Sequence, residues 1–322
     1  MDDRLALVQG DPDPAIGDIG GYVSKVKTID GLRTRYFDEG RGTPFFLCHG
    51  GGWRGNHTAN TFVSLFPHLA PHYRVIAADK IGSGLTDNPP APEHYTVEAQ
   101  VAHMTAFIRS FGHDRIVLLG QSRGAYLAAR IAVENPDMIR ALILVNTATL
   151  GPEVGDLYAR RRDLFKGRGL IDSGRAIGPD RAAFAEDVRW DYERLSYDGS
   201  YITDEFIAAG VAMEYTQKSA DGVEMCYRQG GQDHFFRSLA RQKPDTLEKL
   251  RQGAVQAPTL IYWGRDDPSA VLEIGHQLYT LIEQNNPRTR MLITNRAGHF
   301  HYDEHPAEFA HYTRAFLDHE LS

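Results

Sequence analysis

The sequence predicts an α/β protein: a mostly parallel, eight-stranded sheet with helices on both faces and a helical insertion between two strands. Three observations predict it. Short, fully apolar runs recur along the chain, the mark of strands buried on both faces. Helix-length amphipathic segments alternate with them, the order a parallel sheet requires. One stretch, 148–257, carries helical periodicity but no such run.

The elements follow in order. Tyr22–Ile29 and Leu32–Asp38 flank Asp30-Gly31, a dipeptide suited to a two-residue hairpin turn. Buried strands are expected at Pro44–Cys48 (PFFLC), Arg74–Ala78 (RVIAA) and Arg115–Leu119 (RIVLL). Ala141–Val145 (ALILV), Thr259–Trp263 (TLIYW) and Arg290–Thr294 (RMLIT) read the same way. Val97–Phe111 repeats apolar residues at a helical period, Ala125–Glu134 is an Ala- and Leu-rich helix stopped before Pro136, and Ala307–His319 closes the chain. Inside the insertion the helical patterns are Gly155–Phe165, Asp180–Leu195, Thr203–Ser219 and Phe235–Leu250. The expected organisation is an irregular N-terminal extension at 1–21, a core made of 22–147 and 258–322, and a helical cap at 148–257.

Composition narrows the class but not the chemistry. A length of 322 residues allows one large domain with an insertion or two small ones. Apolar residues at 42% and charged residues at 24% suit a globular chain, not a disordered one. With 35 basic and 42 acidic residues the formal charge is −7, the wrong sign for neutralising phosphates, so no nucleic-acid partner is expected. The start, MDDRLALVQGDPDP, is acidic and broken by Gly and Pro, unlike a secretory signal. No run approaches the roughly 20 apolar residues of a membrane span. A cytoplasmic location and no membrane partner are therefore expected. Cys48 and Cys226 are too few for a disulfide framework and read as packing residues.

The strongest chemical signal is Gly120-Gln121-Ser122-Arg123-Gly124. It fits G-x-S-x-G, follows the strand RIVLL and opens the helix AYLAARIAVENP, the setting of a nucleophile elbow. Chance is the competing explanation in a chain with 31 glycines, but the strand and helix context is not a chance feature. A serine hydroxyl needs a base. Among 14 histidines, His299 stands out because Arg296-Ala297-Gly298-His299-Phe300 follows the strand RMLIT, at the edge where open α/β sheets place their sites. His301 is the fallback, and a metal cluster of the neighbouring histidines lacks completing ligands. The acid should end the preceding strand, where Asp266 and Asp267 both stand, and spacing does not separate them. His49-Gly50-Gly51-Gly52-Trp53 follows PFFLC and offers bare backbone N–H groups to an oxyanion. Gly51 and Arg123, the residue after the serine, are the expected oxyanion-hole donors.

At these motifs the chain resembles the α/β-hydrolase superfamily. The order HGGG, GQSRG, GRDD, AGH matches the family order of oxyanion loop, serine, acid and histidine, over about residues 22 to 319. The family pattern G-x-x-D implies Asp267 rather than Asp266 as the acid. Asp79, in the segment DKIGSGLTD, is implied to shape a turn. The insertion is similar to the family's cap, which roofs the pocket. A second, weaker resemblance is to meta-cleavage product hydrolases, which split C–C bonds in ring-fission ketones. They carry an asparagine some eleven residues beyond the loop histidine, here Asn60, but favour asparagine and tryptophan where this chain has Gln121 and Phe300.

The resemblance implies a serine hydrolase acting on an ester, a lactone or the C–C bond of a ring-fission-type ketone, with Ser122, His299 and Asp267 as the triad. No cofactor and no metal are required. The expected partner is a small-molecule substrate, an aromatic one included, with Asn60, Trp190, Tyr215 and Phe300 as candidate binding residues. Tyr192, Phe235 and Phe236 are further cap aromatics that could wall the pocket, and for all these aromatic residues plain helix packing is the competing explanation. Arg189, Arg194 and the side chain of Arg123 could reach a substrate carboxylate, against the plainer reading of a solvated face. Assembly into a homo-oligomer is left open. Two other classes remain compatible with the residues: a cofactor-free oxygenase that uses the histidine to deprotonate substrate, and a ligand receptor on the same scaffold.

Overall fold

The structure is a computed structural model, and it describes residues 7–155, 163–166, 168–170 and 174–321. Eight strands form one sheet: β1 Lys25–Ile29, β2 Leu32–Gly40, β3 Thr43–Cys48, β4 Tyr73–Ala78, β5 Ile116–Gln121, β6 Ile139–Val145, β7 Thr259–Gly264 and β8 Thr289–Thr294. Their spatial order is β1-β2-β4-β3-β5-β6-β7-β8. β2 runs antiparallel to β1 and β4, and every other pairing is parallel. The expected hairpin is present. Its turn residues Asp30 and Gly31 both have positive φ (48° and 85°), as a turn matching the twist of paired strands needs.

Among the described residues the α-helices of seven residues or more are α1 Val97–Arg109, α2 Arg123–Glu134, α3 Arg181–Leu195, α4 Asp204–Glu214, α5 Gln217–Val223, α6 Gly231–Arg251, α7 Leu272–Glu283 and α8 Pro306–Leu321. Thr96, Asp180, Thr203 and Thr216 cap α1, α3, α4 and α5 through side-chain oxygens that accept an orphan backbone N–H. Successive residues of each strand face opposite sides of the sheet, so the strands feed two cores. On one face Phe46, Cys48, Ile76, Leu118, Leu142 and Trp263 pack with α1, α2, α6 and α7. On the other, Phe45, Leu47, Val75, Leu119, Ile143 and Tyr262 pack with α3, α4 and α8.

Between β6 and β7 the described residues form helices joined by irregular segments, with no strand of the sheet among them, and the helix expected over 155–165 lies largely outside them. The pattern expected as one helix over 203–219 is two. It breaks at Tyr215–Thr216, where Val8 pairs by backbone hydrogen bonds with Tyr215 and Gln217 (3.0 and 2.9 Å) and Thr216 starts α5. The long α6 sits beside α1, α2 and α7, whereas the end of α3 reaches over the C-terminal edge of the strands. Helix α7 is an element that the apolar-run reading did not single out. Among the described residues no helix is long and apolar enough to cross a membrane.

Candidate active site

β5 ends at Gln121 and α2 begins at Arg123, so Ser122 alone makes the turn between them. Its φ of 55° and ψ of −121° lie where a residue with a side chain is strained. The surroundings enforce it. The Ser122 N–H donates to the carbonyl of Val145 (2.9 Å), and the Ser122 carbonyl accepts from Ala125 (3.0 Å). A Cβ on Gly120 would lie 2.1 Å from the Gly124 carbonyl, and one on Gly124 would lie 2.0 Å from the Cys48 carbonyl. Both motif glycines are therefore demanded by backbone approaching backbone.

The glycine loop after β3 lies against this turn. A Cβ on Gly50 would come within 2.7 Å of the Ser122 Cβ. The buried Lys80 ammonium donates to the carbonyls of Gly50 (2.9 Å) and Gly51 (3.2 Å), which fixes that side of the loop. His49 is structural: its Nε2 accepts from the Lys80 N–H (3.0 Å). Burial, reinforced by the Lys80 charge, holds its pKa well below the ordinary range, so it stays neutral. His57 returns over the loop, its Nδ1 accepting from the Gly52 N–H (2.9 Å).

Behind the serine, Nδ1 of His299 meets Oδ2 of Asp267 at 2.6 Å, with Asp267 3% and His299 5% exposed. Oδ1 of Asp267 accepts from the N–H groups of Ser269 (2.7 Å) and Ala270 (2.9 Å) and from the Ser269 hydroxyl (3.0 Å). Burial alone would raise the Asp267 pKa. The His299 charge and hydrogen bond, together with those of Ala270 and Asn146, outweigh burial and lower it. Asp267 is therefore the carboxylate form that can orient an imidazole and stabilise its protonated state. Asp266 is exposed and accepts a 3.4 Å bond from Ala297, and His301 is buried against Tyr262 and Phe309, with no hydrogen bond to Asp267. Asp79 lies buried beneath the loop, paired with Arg35 and accepting from Ala59 and Leu85.

Ser122, Gly51, His299 and Phe300 line one cavity. Arg123 is in place as the first residue of α2, but its side chain leaves the site. Its guanidinium lies 5.5–5.6 Å over the rings of Trp53, Phe235 and Phe236. Three candidate binding residues are corrected. Asn60 accepts from Arg35 (2.8 Å) and donates to the Gly17 carbonyl (3.1 Å), so its amide ties the N-terminal segment to the core. Tyr215 packs on Phe184 and donates its hydroxyl to Gly178 (2.7 Å). Trp190 is half-buried between Phe165 and the guanidiniums of Arg168 and Arg194. Arg189 is engaged outside the cavity with Asp204.

Much of the remaining lining comes from residues not singled out from sequence, Asn56, His57, Thr58 and Thr61 beyond the glycine loop and Asp191 and Leu195 on α3, joined by Tyr192 of α3, one of the aromatic candidates. The α3 set carried a signal. Phe184, Val188, Asp191, Tyr192 and Leu195 are its buried residues, a helical stripe holding one carboxylate, and Trp190 lies off that stripe. Among the described residues no group of three or more His, Cys, Asp or Glu could hold a metal ion.

A model of the alpha/beta hydrolase fold matches residues 43–306. The chain is 28% identical over 298 residues to a 2-hydroxy-6-oxo-6-(2'-aminophenyl)hexa-2,4-dienoic acid hydrolase of Metapseudomonas resinovorans, covering 92% of this chain and 91% of that one. It is 26% identical over 301 residues to a 2-hydroxy-6-oxo-2,4-heptadienoate hydrolase of Pseudomonas putida, covering 93% and 98%. Among solved structures it is similar to a meta-cleavage product hydrolase from Pseudomonas fluorescens, with a TM-score of 0.72, 21% identity and coverage of 92% and 97%. It is also similar to a serine hydrolase involved in carbazole degradation, with a TM-score of 0.66, 26% identity and coverage of 92% and 99%.

Proposed function

The chain belongs to the alpha/beta hydrolase fold family, and from that premise we propose that it hydrolyses the carbon–carbon bond beside a ketone in a 2-hydroxy-6-oxo-dienoate-type substrate. The observation that carries this reading is the convergence of Ser122, Gly51 and His299 on one cavity, with Asp267 bonded behind His299. The named activities of the two curated relatives select the C–C bond over an ester.

In the proposed mechanism His299 Nε2 takes the Ser122 proton as the serine oxygen bonds to the ketone carbon. The carbonyl electron pair moves onto oxygen, and the backbone N–H groups of Gly51 and Arg123 stabilise that oxyanion. The helix dipole of α2 adds to the same field. As the carbonyl reforms, the C–C bond breaks with its electron pair on the departing carbon, which takes the proton from the His299 imidazolium. The acyl group remains on Ser122. Water, losing a proton to His299, attacks the acyl carbon, and the returning proton restores the serine hydroxyl. One water is consumed, and a carboxylic acid and the protonated carbon fragment leave.

The test uses the purified protein with 2-hydroxy-6-oxohepta-2,4-dienoate and its 6-(2'-aminophenyl) counterpart. The absorbance of the conjugated chromophore should decay with release of one equivalent of acid. Ser122→Ala should slow this by at least about 1,000-fold without loss of fold. Turnover that survives Ser122→Ala, or that is confined to aryl esters, overturns the reading.

A further inference from the structure

Asn56 lies between the glycine loop and the segment 59–65, is 3% exposed, and lines the cavity with Ser122 and His299. Both polar atoms of its side chain, Oδ1 and Nδ2, are buried with no hydrogen-bond partner among the described residues. Such a group costs about 1–3 kcal/mol when left unsatisfied, so its presence calls for a reason outside folding. Its backbone is held from both sides. The N–H donates to Oε2 of Glu214 (3.2 Å), and the carbonyl accepts from the Tyr192 hydroxyl (3.3 Å). Glu214 is itself pinned by Arg54, Nη2 to Oε1 at 2.6 Å, with both side chains fully buried. An ion pair and a phenol thus hold the amide at the cavity wall, while the nearby Asn60 spends both of its amide atoms on the fold.

We propose that Asn56 is a specificity-determining residue whose amide binds a part of the substrate presenting a hydrogen-bond acceptor and a donor side by side. A hydroxyl on the carbon next to a carboxyl or carbonyl group meets this requirement. Nδ2 donates to the carbonyl oxygen and Oδ1 accepts from the hydroxyl. Choosing that group rests on the C–C hydrolase reading, because the substrates in both relatives' names are 2-hydroxy acids. The assignment of Asn56 as a binding residue rests on its position and its unpaired amide.

The experiment measures direct binding of two stable probes, 2-hydroxyhexanoate and hexanoate, to the full chain by calorimetry. The wild type should bind 2-hydroxyhexanoate at least tenfold more tightly than hexanoate. In Asn56→Ala, and in the nearly isosteric Asn56→Leu, that preference should disappear. The Tm of neither variant should fall, because no native hydrogen bond is lost, and a merely structural residue fails this readout. Equal binding of the two acids by the wild type, a preference retained in both variants, or a lower Tm for both overturns the inference. If the preference and its loss are seen while the dienoates are not cleaved, the C–C reading falls and the binding role stands. If the dienoates are cleaved and the variants keep the preference, the reverse holds.

Discussion

Oδ2 of Asp267 receives two donors at once, His299 Nδ1 at 2.6 Å and Asn146 Nδ2 at 2.7 Å. Asn146 also accepts from the Gly264 N–H (2.9 Å) and donates to the Gly298 carbonyl (3.1 Å), so one amide joins the ends of β6 and β7 to the histidine loop. The carboxylate is thus fixed before it meets the imidazole. Asp267→Asn should lower kcat by about 1,000- to 10,000-fold, because an amide does not hold the same tautomer or stabilise the imidazolium. Asp266→Asn should stay within about twofold, since that side chain is exposed. Steady-state rates of the two variants decide it, and similar small effects would place the acid elsewhere.

The Arg54–Glu214 pair is buried on both sides. Removing one partner strands the other charge in a low-dielectric interior. Glu214→Ala should therefore cost about 3–5 kcal/mol of stability. The double replacement Arg54→Met with Glu214→Leu should recover most of it, because neither charge then remains. Denaturant unfolding of the three variants measures this, and additive losses in the double variant would count against it.

His301 is fully buried, both ring nitrogens lack hydrogen-bond partners among the described residues, and burial pushes its pKa down to about 3 from 6.5. Between those two values the unfolded chain binds a proton that the native state refuses. Stability from this residue is therefore full above about pH 6.5 and declines as pH falls toward 3. His301→Leu should remove that acid sensitivity. The Tm advantage of the variant should be larger at pH 5 than at pH 8, and a pH-independent difference would contradict the assignment.

Gly124→Ala places a methyl 2.0 Å from the Cys48 carbonyl, where only backbone can yield. The cost should reach or exceed the ~1–3 kcal/mol usual for overpacking, with loss of turnover as the serine turn shifts. Gly178→Ala, which meets nothing within 4 Å among the described residues, is the tolerated control. Thermal melts and rates of both variants supply the comparison.

The sheet was legible because its central strands are buried on both faces and therefore read as unbroken apolar runs. The serine turn, the glycine loop and the Asp267–His299 pair were legible because each lies in a short motif at a strand end. The cavity wall was not. Residue type marked Trp190, Tyr192 and Tyr215 alike as aromatic, but the helical face decides which side chain turns inward, and α3 turns Tyr192 in together with Asp191 and Leu195. Asn56 and Asn60 are the same residue type four positions apart. The Arg35 guanidinium, arriving from β2, and the Gly17 carbonyl, arriving from the N-terminal segment, show that Asn60 is committed elsewhere. The break at Tyr215 depends on Val8, more than 200 residues away in sequence, which no local pattern contains.

The serine turn touches strand β3 through Gly124 and Cys48, and Gln121 donates to the His299 carbonyl across 178 positions of sequence. His299 in turn hangs by its N–H from the Leu195 carbonyl of α3 (2.8 Å). No autonomous fragment of this chain contains a working centre. Turnover therefore reports completed long-range assembly: during refolding, helix signals should return before catalysis does, and recovered activity counts the molecules whose last tertiary contact has closed.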